Sequence, residues 1–234
     1  MHLPLALPLL LSLSLPLLTT AQCTTTTTQP SSNPSSNPPS YPNPSTTTLI
    51  HALTHIAPRS AREPCTDDTA AHATGECRSA RQAAAPIQAS FERYGVSSAA
   101  ERAALVSLMA MESGEFVYAR NHFPAPGVEG KGTRNMQSPT YNTLYAKSIP
   151  ALSDPLGKID PDDVGAILDL LLSNDEYDFG SAAWFLTSQC TPEVRKGLQS
   201  GSKEGWEGYL TGCVGTTVTE VREGYWRKAM EVFK

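Results

Sequence analysis

The apolar positions of residues 98–137 set out one helix and the loop that follows it. Ser98 and Glu101 form an S-x-x-E pattern, which predicts a capped helix start. Leu105, Leu108 and Met109 then recur at helical spacing. Glu112 lies four residues after Leu108 and three after Met109, on the same apolar stripe. Gly114 can stop the helix. The pattern thus predicts a carboxyl at the end of a buried helix, facing a long loop rich in polar side chains. An acid so placed needs a partner or keeps its proton, and a carboxyl that keeps its proton can act as a general acid. The plainer reading of Glu112 is a solvated residue or an ion-pair partner in the last helical turn.

The rest of the chain repeats the helical pattern. Residues 49–56 fit a short helix, and the Ala-rich residues 78–94 fit another, interrupted or restarted at Pro86. Ser138-Pro139 opens a helix carrying Tyr141, Leu144 and Tyr145. Asp160-Pro161-Asp162-Asp163 opens one with Val164, Ile167, Leu168 and Leu171 on one face, and Thr191-Pro192-Glu193 opens a third. Residues 178–189 read as a short buried segment, and Trp184, Trp206 and Trp226 as core. Thr217 and Glu220 make a second S/T-x-x-E, after which Val218, Val221, Tyr225 and Val232 line one side of a last helix. Phe116-Val117-Tyr118 could start a small hairpin in the central loop. The fold class predicted is mainly α: a helical domain over residues 49–234, with a long loop or small β-hairpin after the central helix.

Composition separates this domain from what precedes it. Residues 1–48 contain no Lys, Arg, Asp or Glu. Residues 1–21, Leu-rich and ending in Thr19-Thr20-Ala21, read as a secretory signal peptide, although the first residues lack Lys and Arg. Pro4, Pro8 and Pro16 and the short apolar run argue against a membrane span. Residues 22–48 form a Ser/Thr/Pro-rich tract expected to be a disordered linker suited to O-glycosylation. The expectation is a secreted, extracellular chain, with no membrane association once the signal is removed. The formal net charge of −5 and the lack of a basic stripe exclude nucleic acid as a partner, and a monomer is expected.

In an oxidising compartment the five cysteines point to disulfides. Cys65 with Cys77 and Cys190 with Cys213 is the simplest pairing, since each closes a local loop; other connectivities stay open. Cys23 is left over, free or paired between chains. His51 and His55 have a metal-compatible spacing, but the acid of an H-E-x-x-H motif is missing. No metal and no cofactor are expected.

Met111-Glu112-Ser113-Gly114, a glycine-containing loop, and then Asn135-Met136-Gln137 resemble the lysozyme-like superfamily. The nearer resemblance is to lytic transglycosylases and goose-type lysozymes. It covers about residues 98–150, with Arg134-Asn135 standing where a Gly-Leu pair is usual. The resemblance implies a helical domain whose cleft binds and cleaves a β-1,4-linked amino-sugar polymer such as peptidoglycan, with Glu112 as general acid. Chitosan or chitin is the alternative substrate, and a non-catalytic glycan-binding or effector-like protein the alternative role. Glu129 is the candidate second carboxylate, against a plain exposed turn residue. Gln137 carries over as a substrate-binding residue, and Asn135 lies beside it. Tyr118, Tyr141 and Tyr145 offer the aromatic faces that sugars use. An arginine against Glu112, with Arg120 and Arg134 as candidates, would oppose its role as an acid.

Overall fold

The computed structural model describes residues 45–65 and 74–234. The signal segment, Cys23 and nearly all of the linker lie outside the described residues. The last linker residues are helical instead: the Ser45 hydroxyl accepts from the Thr48 N–H at 3.2 Å, and the first helix begins at Thr46.

Among the described residues the chain forms ten α-helices and no strand. They are α1 (Thr46–Ile56), α2 (Ala80–Arg93), α3 (Ala99–Glu112), α4 (Pro139–Lys147), α5 (Ser153–Leu156), α6 (Val164–Leu172), α7 (Asp175–Gln189), α8 (Pro192–Gln199), α9 (Lys203–Tyr209) and α10 (Glu220–Val232). A π turn at Leu210–Val214 follows α9. The mainly α class expected from the hydrophobic pattern is what the chain adopts.

Helix α3 is the axis. Every residue from 100 to 110 is buried, the polar Glu101, Arg102 and Ser107 among them, so the rest of the domain surrounds this helix. It packs against α1, α7, α8 and α10. A second apolar cluster forms where α4, α6 and α7 bring together Tyr145, Ile167, Leu171, Trp184 and Phe185. Helix α7 serves both clusters, turning Phe179, Ala183 and Leu186 to the first. The three tryptophans are buried, and Trp206 stacks on Trp226 with ring centroids 4.9 Å apart.

Several local expectations are corrected by packing. Ser98 caps α3, but the box is half made: the Glu101 side chain turns into the interior, where Arg195 and Gln199 donate to it. Pro86 does not interrupt α2, because Ala83, Ala84 and Ile87 bury on one face and hold the helix across it. Helix α10 is capped by Thr219, and its buried face is Trp226 and Ala229; Val221 and Val232 are exposed. The Trp206–Trp226 stack sets that rotation.

The segment between α3 and α4 holds only isolated bridges, Arg120 to Gly132 and Gly132 to Gln137. Phe116 does not begin a hairpin: it lies in the left-handed region at φ 70° and packs edge-on against Phe179 at 5.6 Å. The segment folds instead around fully buried Arg134. Its Nε donates to Asp178 Oδ2 at 2.7 Å, Nη1 to the Phe116 carbonyl at 2.8 Å and Nη2 to the Glu76 carbonyl at 2.6 Å. Both local disulfides form, Cys65–Cys77 and Cys190–Cys213.

Candidate functional site

Glu112 is the last residue of α3. The Ser113 hydroxyl donates to the Met109 carbonyl at 2.6 Å and accepts from the Phe116 N–H at 2.9 Å, which ends the helix there. Gly114, at φ 59°, then turns the chain away. The Glu112 side chain is 22% exposed. Its Oε1 accepts from Arg222 Nη1 at 2.6 Å, and its Oε2 has no hydrogen-bond partner among the described residues. Arg120 instead reaches Asp169 at 2.6 Å, and Arg134 is committed to Asp178. The acid on the apolar stripe therefore has Arg222 as its cationic partner.

Glu112 opens onto a groove of about 510 Å³. Asn135, Gln137 and Tyr141 line the same groove, so four of the seven residues singled out from the sequence come together. Leu108, Met136, Pro139, Phe185 and Val214 give it an apolar wall, and Lys131, Thr216 and Arg222 complete the polar one. Tyr141 meets Phe185 edge-on at 4.9 Å. The volume falls within the range that holds a small organic ligand.

The groove amides are fixed by their neighbours. Gln137 Nε2 donates to Asn142 Oδ1 at 2.8 Å, and Gln137 Oε1 accepts from Asn135 Nδ2 at 3.3 Å. Asn135 Oδ1 accepts from Ser181 at 2.7 Å and from Thr133 at 2.9 Å. Thr133 and Met136 sit in the left-handed region at φ 59° and 49°, as do Glu115 and Phe116 at the start of the segment. Such backbone costs about 1–3 kcal/mol per residue and gathers at functional sites, so the observed strain points to this segment.

The other three residues lie elsewhere. Glu129 lines a neighbouring cleft of about 550 Å³ that shares Val128 and Lys131 with the groove. Tyr118 packs against the rings of His122 and Phe123, each at 5.7 Å. Tyr145 is fully buried, with its hydroxyl donating to the Tyr177 carbonyl at 3.0 Å, and burial pushes its pKa up. It is a core residue with no face on the groove. Arg222, Lys131, Phe185 and Val214 escaped the sequence reading. Nothing in the chain pairs α10 with the end of α3 ahead of folding; only the position of Arg222 just inside a capped helix start marked it.

The described residues hold no group of three His, Cys, Asp or Glu that could bind a metal ion. His55 faces Glu231 at 2.9 Å and His122 faces Glu76 at 2.9 Å. Among the described residues no helix is long and apolar enough to cross a membrane.

The chain is similar to a bifunctional dioxygenase–epoxy alcohol synthase of Fusarium oxysporum (strain Fo5176). The two are 42% identical over 158 residues, which is 65% of this chain and 12% of the Fusarium protein. The chain thus spans a small part of that relative, and most of the relative lies outside the match. No protein-family model and no solved structure matches the chain.

This finding corrects the family expectation. The Met111–Gly114 and Asn135–Gln137 motifs are too short to define a superfamily alone, and the relative they must be weighed against is of another enzyme class. The lysozyme-like assignment, muramidase or transglycosylase activity, the chitosan or chitin alternative and the polysaccharide partner are all set aside with it. The relative is an enzyme by its name, neither glycosidase nor transglycosylase.

Proposed function

We propose that the groove beside Glu112 binds an oxygenated aliphatic molecule, of the class named in the epoxy alcohol activity of the Fusarium relative, and that the chain acts on it as an enzyme. One observation carries this reading: the groove is lined by both apolar side chains, Leu108, Phe185 and Val214 with the Tyr141 ring, and polar ones, Glu112, Gln137 and Arg222. An aliphatic body gains about 25 cal/mol per Å² on leaving water for such apolar side chains. Its hydroxyl or epoxide oxygen needs donors and acceptors, since an unpaired polar group loses that gain.

Dioxygenase chemistry is carried by metal or flavin cofactors. This reading routes no step through such a group. What the groove residues themselves do is bind and orient. Glu112 Oε2, open while Oε1 is held by Arg222, is the acceptor available for a ligand hydroxyl or a water. Export is part of the proposal, and the Cys65–Cys77 and Cys190–Cys213 bonds support it, because such bonds persist in oxidising compartments.

The test is titration of the full chain with long-chain epoxy alcohols below their aggregation threshold, followed by calorimetry and tryptophan fluorescence. Trp184 lies 6.5 Å from the Phe185 ring and reports on the groove. Saturable one-site binding is expected, and Thr216→Trp, which fills the groove, should abolish it. Absence of saturable binding, or displacement of the signal by short amino-sugar oligomers alone, would overturn the reading.

A further inference from the structure

We infer that the ligand of the Glu112 groove carries a negatively charged head and that Lys131 receives it. The inference rests on the groove being the binding site, as proposed above, and adds the chemistry of the ligand's polar end.

The argument is one of unmatched charge. The groove is lined by two cations, Lys131 and Arg222, and one anion, Glu112. Arg222 is taken by Glu112 at 2.6 Å. Lys131 makes no ion pair and no side-chain hydrogen bond with any described residue; its backbone alone is bonded, the N–H to the Val128 carbonyl and the carbonyl to the Asn121 N–H. The groove therefore keeps one net positive charge in a chain whose formal net charge is −5. An ammonium partly withdrawn from water beside apolar side chains is completed by an anion.

The neighbouring cleft shows why the anion belongs in the groove. With Lys131 counted on the groove, that cleft sets the carboxyl groups of Glu129, Asp163 and Asp169 against the single guanidinium of Arg120, so its charge is net negative. Arg120 is also spent there, on Asp169. Lys131 stands on the boundary between the two spaces. An anionic head is repelled from one side and accepted on the other, while its aliphatic body follows Leu108, Phe185 and Val214.

The experiment uses the full chain and three soluble probes: hydroxydodecanoate, its methyl ester and dodecyl phosphate. Wild type, Lys131→Met and Lys131→Arg are compared by calorimetry, with melting temperature as the check on folding. Both anions should bind wild type about tenfold or more tightly than the ester does, the scale of a charge-assisted hydrogen bond. Lys131→Met should remove that advantage, Lys131→Arg should keep most of it, and ester binding should not change. Whichever anion binds more tightly identifies the head as carboxylate or phosphate. Equal binding of acid and ester, unmoved by Lys131→Met, overturns the anionic head while leaving the groove as a binding site. No binding of any of the three overturns the reading beneath it and the inference with it.

Discussion

Arg222 donates to Glu112 at 2.6 Å, and each residue of the pair stands at the wrong end of its own helix. Glu112 is an anion at the C-terminus of α3, and Arg222 is a cation in the first turn of α10. Helix dipoles disfavour both placements. Brought together, each charge offsets the other's unfavourable end, so the pair joins two helix termini separated by 110 residues in sequence. Arg222→Met should therefore cost about 1.5–3 kcal/mol, the range for a hydrogen bond to a charged group. Glu112→Gln should cost less, because the amide can still accept from the guanidinium. A double-mutant cycle by urea denaturation should show coupling of at least about 1 kcal/mol. Additive losses would mean that the two charges do not depend on each other.

Arg134 is the larger structural commitment. Its guanidinium is fully buried, lies 4.8 Å over the Phe179 ring, and links Asp178 to the Phe116 and Glu76 carbonyls. Arg134→Met would strand the buried Asp178 carboxyl and the Glu76 carbonyl, and would leave the Phe116 carbonyl only the Arg78 N–H as donor. We expect a loss of about 3–5 kcal/mol, as for other broken buried pairs. Limited proteolysis should then cut between α3 and α4 before it cuts elsewhere. A variant as stable as wild type would show that the segment is held by other contacts.

The alkaline limb of stability should report on Tyr225. Its hydroxyl donates to Glu115 Oε1 at 2.7 Å, tying α10 to the turn after α3. Burial, and then the Glu115 carboxylate, push the phenol from its ordinary value of 10.0 up to about 12. The folded state thus keeps this proton more tightly than the unfolded chain does. The contribution is fully present below pH 10 and is lost as the pH rises through about 12. The stability difference between wild type and Tyr225→Phe should be constant up to pH 10 and shrink above it. A difference that stays constant to pH 12 would count against the Glu115 contact.

Local signals carried most of the fold and part of the groove. Ser98, Ser138, Thr191 and Ser202 mark helix starts through interactions that span three residues, so they are visible in the chain itself. The same locality placed Glu112 at a helix end; Asn135, Gln137 and Tyr141 were set beside it by the lysozyme-like, sugar-binding reading that the Fusarium relative contradicts, although they do line the same groove. What the sequence could not show was long-range. Arg222 reaches Glu112 from another helix, and Glu101 leaves its own cap to meet Arg195. Tyr145 looked like a ligand-facing aromatic because burial on α4 depends on where α7 packs. The four-residue Met111–Gly114 motif describes a helix end, a geometry that unrelated chains share, and for that reason it suggested the wrong family.

Two glycines give opposed predictions from the same physics. A Cβ on Gly132 would stand 2.5 Å from the Ala119 carbonyl oxygen and 2.8 Å from a Leu168 methyl, and neither can retreat without moving the segment behind the groove. Gly132→Ala should cost about 1–3 kcal/mol through overpacking, and should weaken ligand binding, since Lys131 is its neighbour in the chain. Gly208, inside α9, has nothing within 4 Å of the same position. Gly208→Ala should stabilise the protein by about 0.4–1 kcal/mol, because it restricts the unfolded chain and meets no atom in the folded one. Thermal melts of the two variants should move in opposite directions. A fall in melting temperature for Gly208→Ala would show that α9 is not free of neighbours there, and no fall for Gly132→Ala would show that the Arg120–Gly132–Gln137 crossing is looser than drawn.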